Sequence, residues 1–237
     1  MDVIVNGISL KNAVSNIVIM DIEKGAVEYE QNIIGNPSGD GIYIGESKKR
    51  KREVKIPIRV LSRDTTVKAT ARRQITEWSK IGEKVEIAFD DVSGLYLVGT
   101  CTATPSYPND YSKQDLIISF ICEPQYRATA EKVVSIGNKF TVEGHAAGLW
   151  EIEQRVTDEI DGPAWMSDTG KEIRLTGTYA NTTLVISFEK KAIYQDGEVI
   201  KEMTMSSRFF ELEPGIHKIT GENGAAGVVK IRERWDE

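Results

Sequence analysis

Two histidines, two cysteines and a scatter of carboxylates are the groups of this chain that could take part in chemistry, and their spacing does not assemble them. His145 lies in the loop Glu143-Gly-His-Ala-Ala-Gly148, and His217 follows Pro214-Gly215 in a strand-like run. Neither belongs to a His-Glu-x-x-His pair or a Cys/His cluster, the patterns that turn zinc ligands toward one point. No Gly-x-Ser-x-Gly elbow occurs. The glycine-rich run Gly221-Glu-Asn-Gly-Ala-Ala-Gly227 precedes a strand and does not open a helix. It lacks the helix-terminal dipole that cradles phosphate and reads as a hairpin loop. Asp90-Asp91 sits in a turn, whereas calcium needs about six to eight oxygens and an EF-type loop spaces its acids more widely. Asp158, Glu159, Asp161 and Asp168 are candidates for a paired acid only if they converge in space. Cys101 and Cys122 fall in β-like runs and read as small buried apolar side chains, consistent with assembly in a reducing compartment. The sequence therefore predicts no catalytic residue, no cofactor, no metal site and no enzyme.

Binding chemistry has two candidates. The first is the basic run Lys48, Lys49, Arg50, Lys51 and Arg52. It can be a solvated hairpin tip, a contact to an acidic neighbouring subunit, or a nucleic-acid contact. The last lacks an aromatic platform interleaved with the charges. The second is a set of aromatics, Trp150, Trp165, Tyr179 and Tyr194, that could stack on sugar rings or simply fill a core. Trp165, in the turn-rich Asp161-Gly-Pro-Ala-Trp-Met166, is the candidate for an exposed sugar-stacking ring.

The elements that would position these residues are mostly strands. Met1 to Leu10 alternates around Asn6-Gly7, a tight hairpin turn. Ile17 to Met20 is a short strand, and Ile34 to Gly41 is full of turn residues. Ile42 to Gly45 and Glu53 to Leu61 read as two strands flanking the basic run, so that Ile42 to Leu61 forms a hairpin with a basic tip. Val54, Ile56, Ile58 and Val60 share one face of the second. Pro57 marks that strand as an edge strand or a bulged one. One helix is predicted over 64–81, with Val67, Ala71, Ile75, Trp78 and Ile81 on its apolar face, Asp64 or Thr65 as cap and Gly82 as stop. Glu83 to Phe89 and Leu95 to Thr102 are strands, and Thr104 to Tyr111 is a loop bearing proline and aromatics. The apolar run from Leu116 stops at Pro124, which has no N–H for a ladder. Beyond it, short strands recur with turn signals at Asp196-Gly197, Pro214-Gly215 and Asn223-Gly224, the pattern of a sandwich. Ser206 to Thr220 reads as two of these strands. The expectation is a mainly β chain: a β-rich domain over 1–130 with one helix, and a helix-free β-sandwich over 131–237.

The chain has 237 residues, 40% hydrophobic and 28% charged, with a net charge of −6. That charge argues against general nucleic-acid binding, which needs clustered positive surface. No apolar run reaches the ~20 residues of a membrane span. The first residues lack a basic, then apolar, export signal.

In order and spacing these motifs resemble the distal tail protein family of long-tailed phages, a tail-tip and baseplate hub component. The likeness rests on Lys48 to Leu61, Ile75-Thr-Glu-Trp78, Val85-Glu-Ile-Ala-Phe-Asp-Asp91 with the Tyr96 strand, and Ile118-Ser-Phe-Ile-Cys-Glu-Pro-Gln-Tyr126. It continues in Thr182-Thr-Leu-Val-Ile-Ser187, Ser207-Arg-Phe-Phe-Glu-Leu-Glu-Pro-Gly215 and Ile231-Arg-Glu-Arg-Trp235. Gln125, between Pro124 and Tyr126, departs from the family pattern. The resemblance implies an N-terminal ring-forming domain and a C-terminal galectin-like sandwich, similar to carbohydrate modules. It implies a structural virion protein of a phage or prophage tail tip, assembled in the bacterial cytoplasm. Its implied partners are further copies in a hexameric ring, the major tail tube protein, a tail-associated hub, lysin or fibre protein, and a receptor-binding protein. The ring would leave a channel for DNA. The alternative reading is a carbohydrate-binding adhesin that uses the second domain.

Overall fold

The structure is a computed structural model that describes residues 1–35, 42–102 and 115–236. It divides into two compact units, Met1–Tyr126 and Arg127–Glu237. Both are dominated by antiparallel strands. The proline- and aromatic-bearing Thr104 to Tyr111 and most of the turn-rich Ile34 to Gly41 lie outside the described residues.

The first unit begins with β1 (Val3–Val5) and β2 (Ile8–Ser9), joined by Asn6 and Gly7 at φ 48° and 81°. These left-handed angles are those of the hairpin turn that an Asn-Gly pair favours. A second, short helix follows, α1 (Leu10–Ala13), which the sequence reading missed. Its four residues are too few to display a period. Then come β3 (Ile17–Ile19), β4 (Glu23–Lys24), β5 (Glu28–Gly35) and β6 (Ile42–Val60). The main helix α2 (Thr65–Ser79) is shorter than the predicted 64–81. Asp64 is its cap and accepts the Thr66 N–H at 2.8 Å. Lys80, in the left-handed conformation, ends it ahead of Gly82. The strands β7 (Lys84–Phe89), β8 (Leu95–Cys101) and β9 (Asp115–Cys122) complete the sheet. Its order is β2-β1-β7-β8-β9-β6, with β3, β4 and β5 following one another along the far side of β6.

One face of this sheet is core. Val54, Ile56, Ile58 and Val60 are fully buried, as are Leu116, Ile118 and Phe120 on the neighbouring β9. The apolar stripe of α2 covers them through Ala71, Ile75 and Trp78. Trp78 packs edge-on against Phe120 at 6.4 Å between ring centroids, and its indole N–H donates to the Ile8 carbonyl at 2.8 Å.

β6 corrects the sequence reading twice. The chain does not turn at Lys48 to Arg52; the basic run lies inside one continuous strand of 19 residues. Nor does Pro57 mark an edge. It sits opposite Ile117 of β9, with β3 and β4 on the other side of its strand. The Pro57 carbonyl takes the Met20 N–H at 2.9 Å, one residue past the end of β3. A strand residue sends its nitrogen and carbonyl to the same side. The missing N–H therefore falls where the ladder is already interrupted between β3 and β4.

A three-residue strand, β10 (Tyr126–Ala128), spans the boundary between the units. The second unit holds β11 (Lys132–Ser135), β12 (Lys139–Val142), β13 (Ala146–Val156), β14 (Ile160–Asp161), β15 (Ala164–Ser167), β16 (Glu172–Arg174) and β17 (Thr178–Tyr179). It continues with β18 (Thr182–Ser187), β19 (Ala192–Gln195), β20 (Glu198–Ile200), β21 (Gly215–Glu222) and β22 (Val228–Trp235). One sheet runs β11-β22-β13-β18-β19-β20 and the other β12-β21-β15-β16, with β14 and β17 paired apart. Their facing sides share one apolar core that includes Trp150, Trp165, Phe188, Leu184 and Ile231. Of the predicted Ser206 to Thr220 strand pair only β21 forms. The preceding 203–212 stretch makes single bridges, Leu175 to Met203 and Gly148 to Leu212.

The glycine-rich run owes its composition to close packing. A Cβ on Gly227 would lie 2.2 Å from the Glu153 carbonyl oxygen, and the residue has φ +101°. The run is a hairpin loop between β21 and β22, as its sequence suggests.

Candidate functional site

Of the groups that looked capable of catalysis, Asp158 and Glu159 are exposed, and the others have the following surroundings. His145 stands edge-on to Trp235 at 5.2 Å. His217 packs by Phe140, with Nε2 at 2.6 Å from the Glu213 carbonyl and Nδ1 at 3.9 Å from Asp168. Asp91 is held by Lys24 at 2.7 Å, and Asp90 by the N-terminal amino group at 3.8 Å. Asp161 accepts from the Thr178 hydroxyl at 3.2 Å. Cys101 and Cys122 are buried thiols outside any disulfide, and burial pushes the Cys122 thiol up to about 12. Among the described residues no group of three His, Cys, Asp or Glu is placed to hold a metal ion.

Trp165 is not an exposed platform. It is 1% exposed in β15, between β21 and β16, and its indole N–H donates to the Ala226 carbonyl at 3.1 Å. Trp150 and Tyr179 are buried too. Trp150 stacks on Phe188 at 3.5 Å, and the Tyr179 hydroxyl donates to Glu202 at 2.6 Å. Both faces of the Trp165 ring are covered by protein, which removes it as a sugar-stacking residue.

The basic run is a different matter. Between Arg52 and Arg59 β6 pairs with β9 on one side, and β3 and β4 line its other side. From Lys51 back to Ile42 its described partner is β5 alone. At about 3.3 Å per residue, these ten residues carry a two-stranded ribbon some 30 Å beyond the paired part of the sheet. The register sets acids against bases: Glu28 opposite Lys51, and Glu30 opposite Lys48. Arg50 pairs with Glu30, and Lys51 with Glu28 at 3.5 Å. Bulges between Glu28 and Tyr29, and between Gln31 and Ile33, break the ribbon's regularity. Tyr29 is 57% exposed on the same strand as the acids.

The five basic residues do not form one set. Lys48, Arg50 and Lys51 are exposed and Lys49 is half-buried, whereas Arg52 is 2% exposed, with its guanidinium 5.0 Å from the centre of the Tyr126 ring. Arg52 is a core residue of the first unit and cannot reach a neighbour. Glu28, Tyr29 and Glu30, which complete the ribbon, were missed from sequence. Their alternation beside Ile33 and Ile34 was the signal available.

In the second unit the turn after β15 and the 203–212 stretch enclose a cleft of about 390 Å³. Lys171, Glu172, Ser206, Arg208, Phe209 and Phe210 line it. The Glu172 carboxylate is engaged by Arg174 at 2.7 Å. Nothing in the sequence reading singled out this cleft, because it needs two segments far apart in the chain.

With that geometry in hand, comparison with known proteins gives a consistent answer. Residues 143–235 match the family model described as siphovirus-type tail component, C-terminal domain. Along 98% of its length the chain superposes on 98% of the crystal structure of SPP1 Dit, a protein described as a paradigm of the hub adsorption apparatus in phages infecting Gram-positive bacteria. The TM-score is 0.79 at 14% identity. Two structures of the phage P2 baseplate in its activated conformation match more distantly. The form with calcium has a TM-score of 0.51 at 8% identity, and the form with strontium 0.50 at 10%; each covers 92% of this chain and 91% of the other. A comparison with curated proteins returned no match. The family resemblance read from the sequence and the mainly β fold are both borne out.

Proposed function

We propose that this chain, a siphovirus-type tail component by its C-terminal domain, is a structural subunit of a phage tail-tip hub that closes into a ring through its first unit. The reading extends to this chain what is said of SPP1 Dit and of the P2 baseplate. The ring is hexameric, joins the tail tube protein to a tail-associated hub, lysin or fibre protein, and leaves a channel for DNA. The role is mechanical and calls on no catalytic group.

The observation that carries it is the ribbon of β5 and the first half of β6. A closed ring needs a heterologous contact, in which one patch meets a different patch on the next copy. The ribbon offers two unlike strands, acids on β5 and bases on β6, that extend past their own sheet. Among the described residues, neither strand has a further neighbour along this stretch. Exposed strand edges pair readily with other chains. A basic strand meeting an acidic one is attractive, and two basic strands repel, so the charges set the head-to-tail sense.

The test is electron microscopy of the purified chain together with light scattering across a salt series. A ring of six with a central hole is expected. Replacing Lys48, Lys49, Arg50 and Lys51 with serine should lower the assembled mass at moderate salt, because ion pairs in direct contact lie well within the Debye length of about 8 Å and still attract there. Wild-type protomers that stay single at high concentration overturn the ring. An unchanged ring in the variant moves the contact off the ribbon.

A further inference from the structure

We propose that the cleft between the turn after β15 and the 203–212 stretch binds a sugar ring bearing an anionic substituent, a carboxylate or a phosphate. This site stands on the second unit alone and is independent of ring closure.

Its walls are preformed. The 203–212 stretch has no ladder of its own, yet the Thr204 N–H donates to the Arg174 carbonyl at 3.0 Å and the Arg208 N–H to the Glu172 carbonyl at 3.3 Å. The buried Ser207 hydroxyl accepts the Arg174 N–H at 2.8 Å. Deeper in, the Phe210 carbonyl accepts the Trp150 indole N–H at 3.2 Å, and the Leu212 carbonyl accepts the Gly148 N–H at 3.0 Å. Irregular segments pinned to a rigid scaffold are where binding sites concentrate, and preformed walls reduce the entropy lost on binding.

Charge selects the ligand. The second unit carries 14 Lys and Arg against 19 Asp and Glu, so a general attraction for anions is not expected of it. The cleft reverses that balance. Arg174 engages Glu172 at 2.7 Å and is shared with Glu222 at 3.1 Å, so the one carboxylate that lines the cleft is held in an ion pair and offset in part. Lys171 and Arg208 line the cleft from its two separate segments, and neither makes an ion pair among the described residues. The Lys171 ammonium is 5.9 Å from the centre of the Phe210 ring, at the outer limit of a cation–π contact.

Shape and polarity select a sugar over a peptide. Phe209 is half-buried against Phe188 at 5.8 Å and offers a ring surface for the C–H face of a pyranose. The Ser206 hydroxyl, 3.2 Å from that of Thr204, can exchange hydrogen bonds with a polyol. An acidic peptide would bind most readily by adding a strand, but the Thr204, Ser207 and Arg208 N–H groups are already donated within the unit. The volume of about 390 Å³ lies at the lower end of the usual range for small-molecule sites.

The experiment is saturation-transfer NMR on the full chain with glucuronate, glucose 6-phosphate and glucose, with affinities from titration. Transfer to the two anionic sugars and none to glucose is expected. A Lys171→Gln/Arg208→Gln variant should bind about tenfold more weakly, each exposed cation contributing modestly. Lys190→Gln/Lys191→Gln, which removes the same charge elsewhere, should bind as wild type does, and both variants should melt at the wild-type temperature. Phe209→Ala should weaken the sugars while leaving any affinity for inorganic phosphate untouched. Several results would overturn the proposal: no transfer to either anionic sugar, equal affinity for inorganic phosphate, tighter binding of an acidic hexapeptide, or equal loss in the two charge variants.

Discussion

The first unit keeps its conspicuous residues outside and the second keeps them inside. In the first, a run of bases and a facing pair of acids stand on a ribbon that, among the described residues, pairs with no third strand. In the second, the aromatics that might have met a ligand, Trp150, Trp165 and Tyr179, are consumed by the core between two sheets. A residue type alone does not tell these cases apart. A strand paired on both sides and packed on one face buries alternate residues whatever they are, and a ribbon with nothing packed on it exposes both faces. Burial then decides which substitutions report on folding and which on partners.

The sharpest break of that contrast is Trp165→Ala. If the ring is core, the variant should lose about 3–5 kcal/mol of stability, the range for deleting a buried aromatic. The loss includes the Ala226 carbonyl left without its indole donor. Urea denaturation followed by far-UV circular dichroism measures it. A Trp165→Ala protein as stable as wild type would return the residue to the surface and undo the inside-outside division of the second unit.

Next in size is the division within the basic run. Arg52 lies buried against Tyr126, so Arg52→Ala should cost about 2 kcal/mol through the lost desolvated cation–π contact and packing of its stem. Arg50→Ala and Lys51→Ala break exposed ion pairs and should each change stability by less than about 1 kcal/mol. Equal costs at all three positions would mean that the ribbon is packed against its own sheet. Light scattering on the same variants separates assembly from folding.

How far the sequence discloses all this follows from the kind of signal each element carries. The alternation of Val54, Ile56, Ile58 and Val60 and the stripe of Ala71, Ile75 and Trp78 are period signals, and both lie where expected. Asn6-Gly7 and Asp196-Gly197 take the left-handed angles their side chains tolerate. The continuity of β6 through Lys48 to Arg52 was hidden, since five consecutive bases have no period and the strand is held by pairing with distant β5. Pro57 misled because its cost depends on what lies opposite its nitrogen, a tertiary fact. Phe209 and Phe210 suggested a strand that the 203–212 stretch does not form, because its backbone bonds go to Arg174, Glu172 and Trp150. The ribbon was half legible, through its bases; the cleft was not legible at all.

The thiols sharpen the comparison from inside the first unit. Cys101 is fully buried and Cys122 nearly so. Thiol reagents attack the thiolate, and burial holds Cys122 protonated up to about pH 12. Native protein at pH 8 should therefore release no chromophore with a disulfide reagent, and two thiols per chain should react after addition of denaturant. Reaction of one thiol in the native state would show that the β8–β9 pairing opens locally.

The smallest expected effect concerns acid and belongs to the second unit. Asp196 takes the left-handed position of the β19–β20 turn, with φ 48°. Its carboxylate accepts the Thr182 hydroxyl at 2.7 Å and the Thr183 N–H at 2.8 Å, and these bonds hold its pKa below the ordinary carboxylate value. The sign follows from linkage. Between the unfolded value of about 3.9 and the lower folded one, the unfolded chain takes up a proton that the folded chain refuses. The turn's contribution is complete above that unfolded value and is lost as the pH falls through the folded one. Asp196→Asn keeps the left-handed preference and one acceptor oxygen but cannot titrate. Its unfolding free energy should fall less steeply than the wild type's between pH 4.5 and pH 2.5. Parallel curves would assign the acid sensitivity of the second unit to groups other than Asp196.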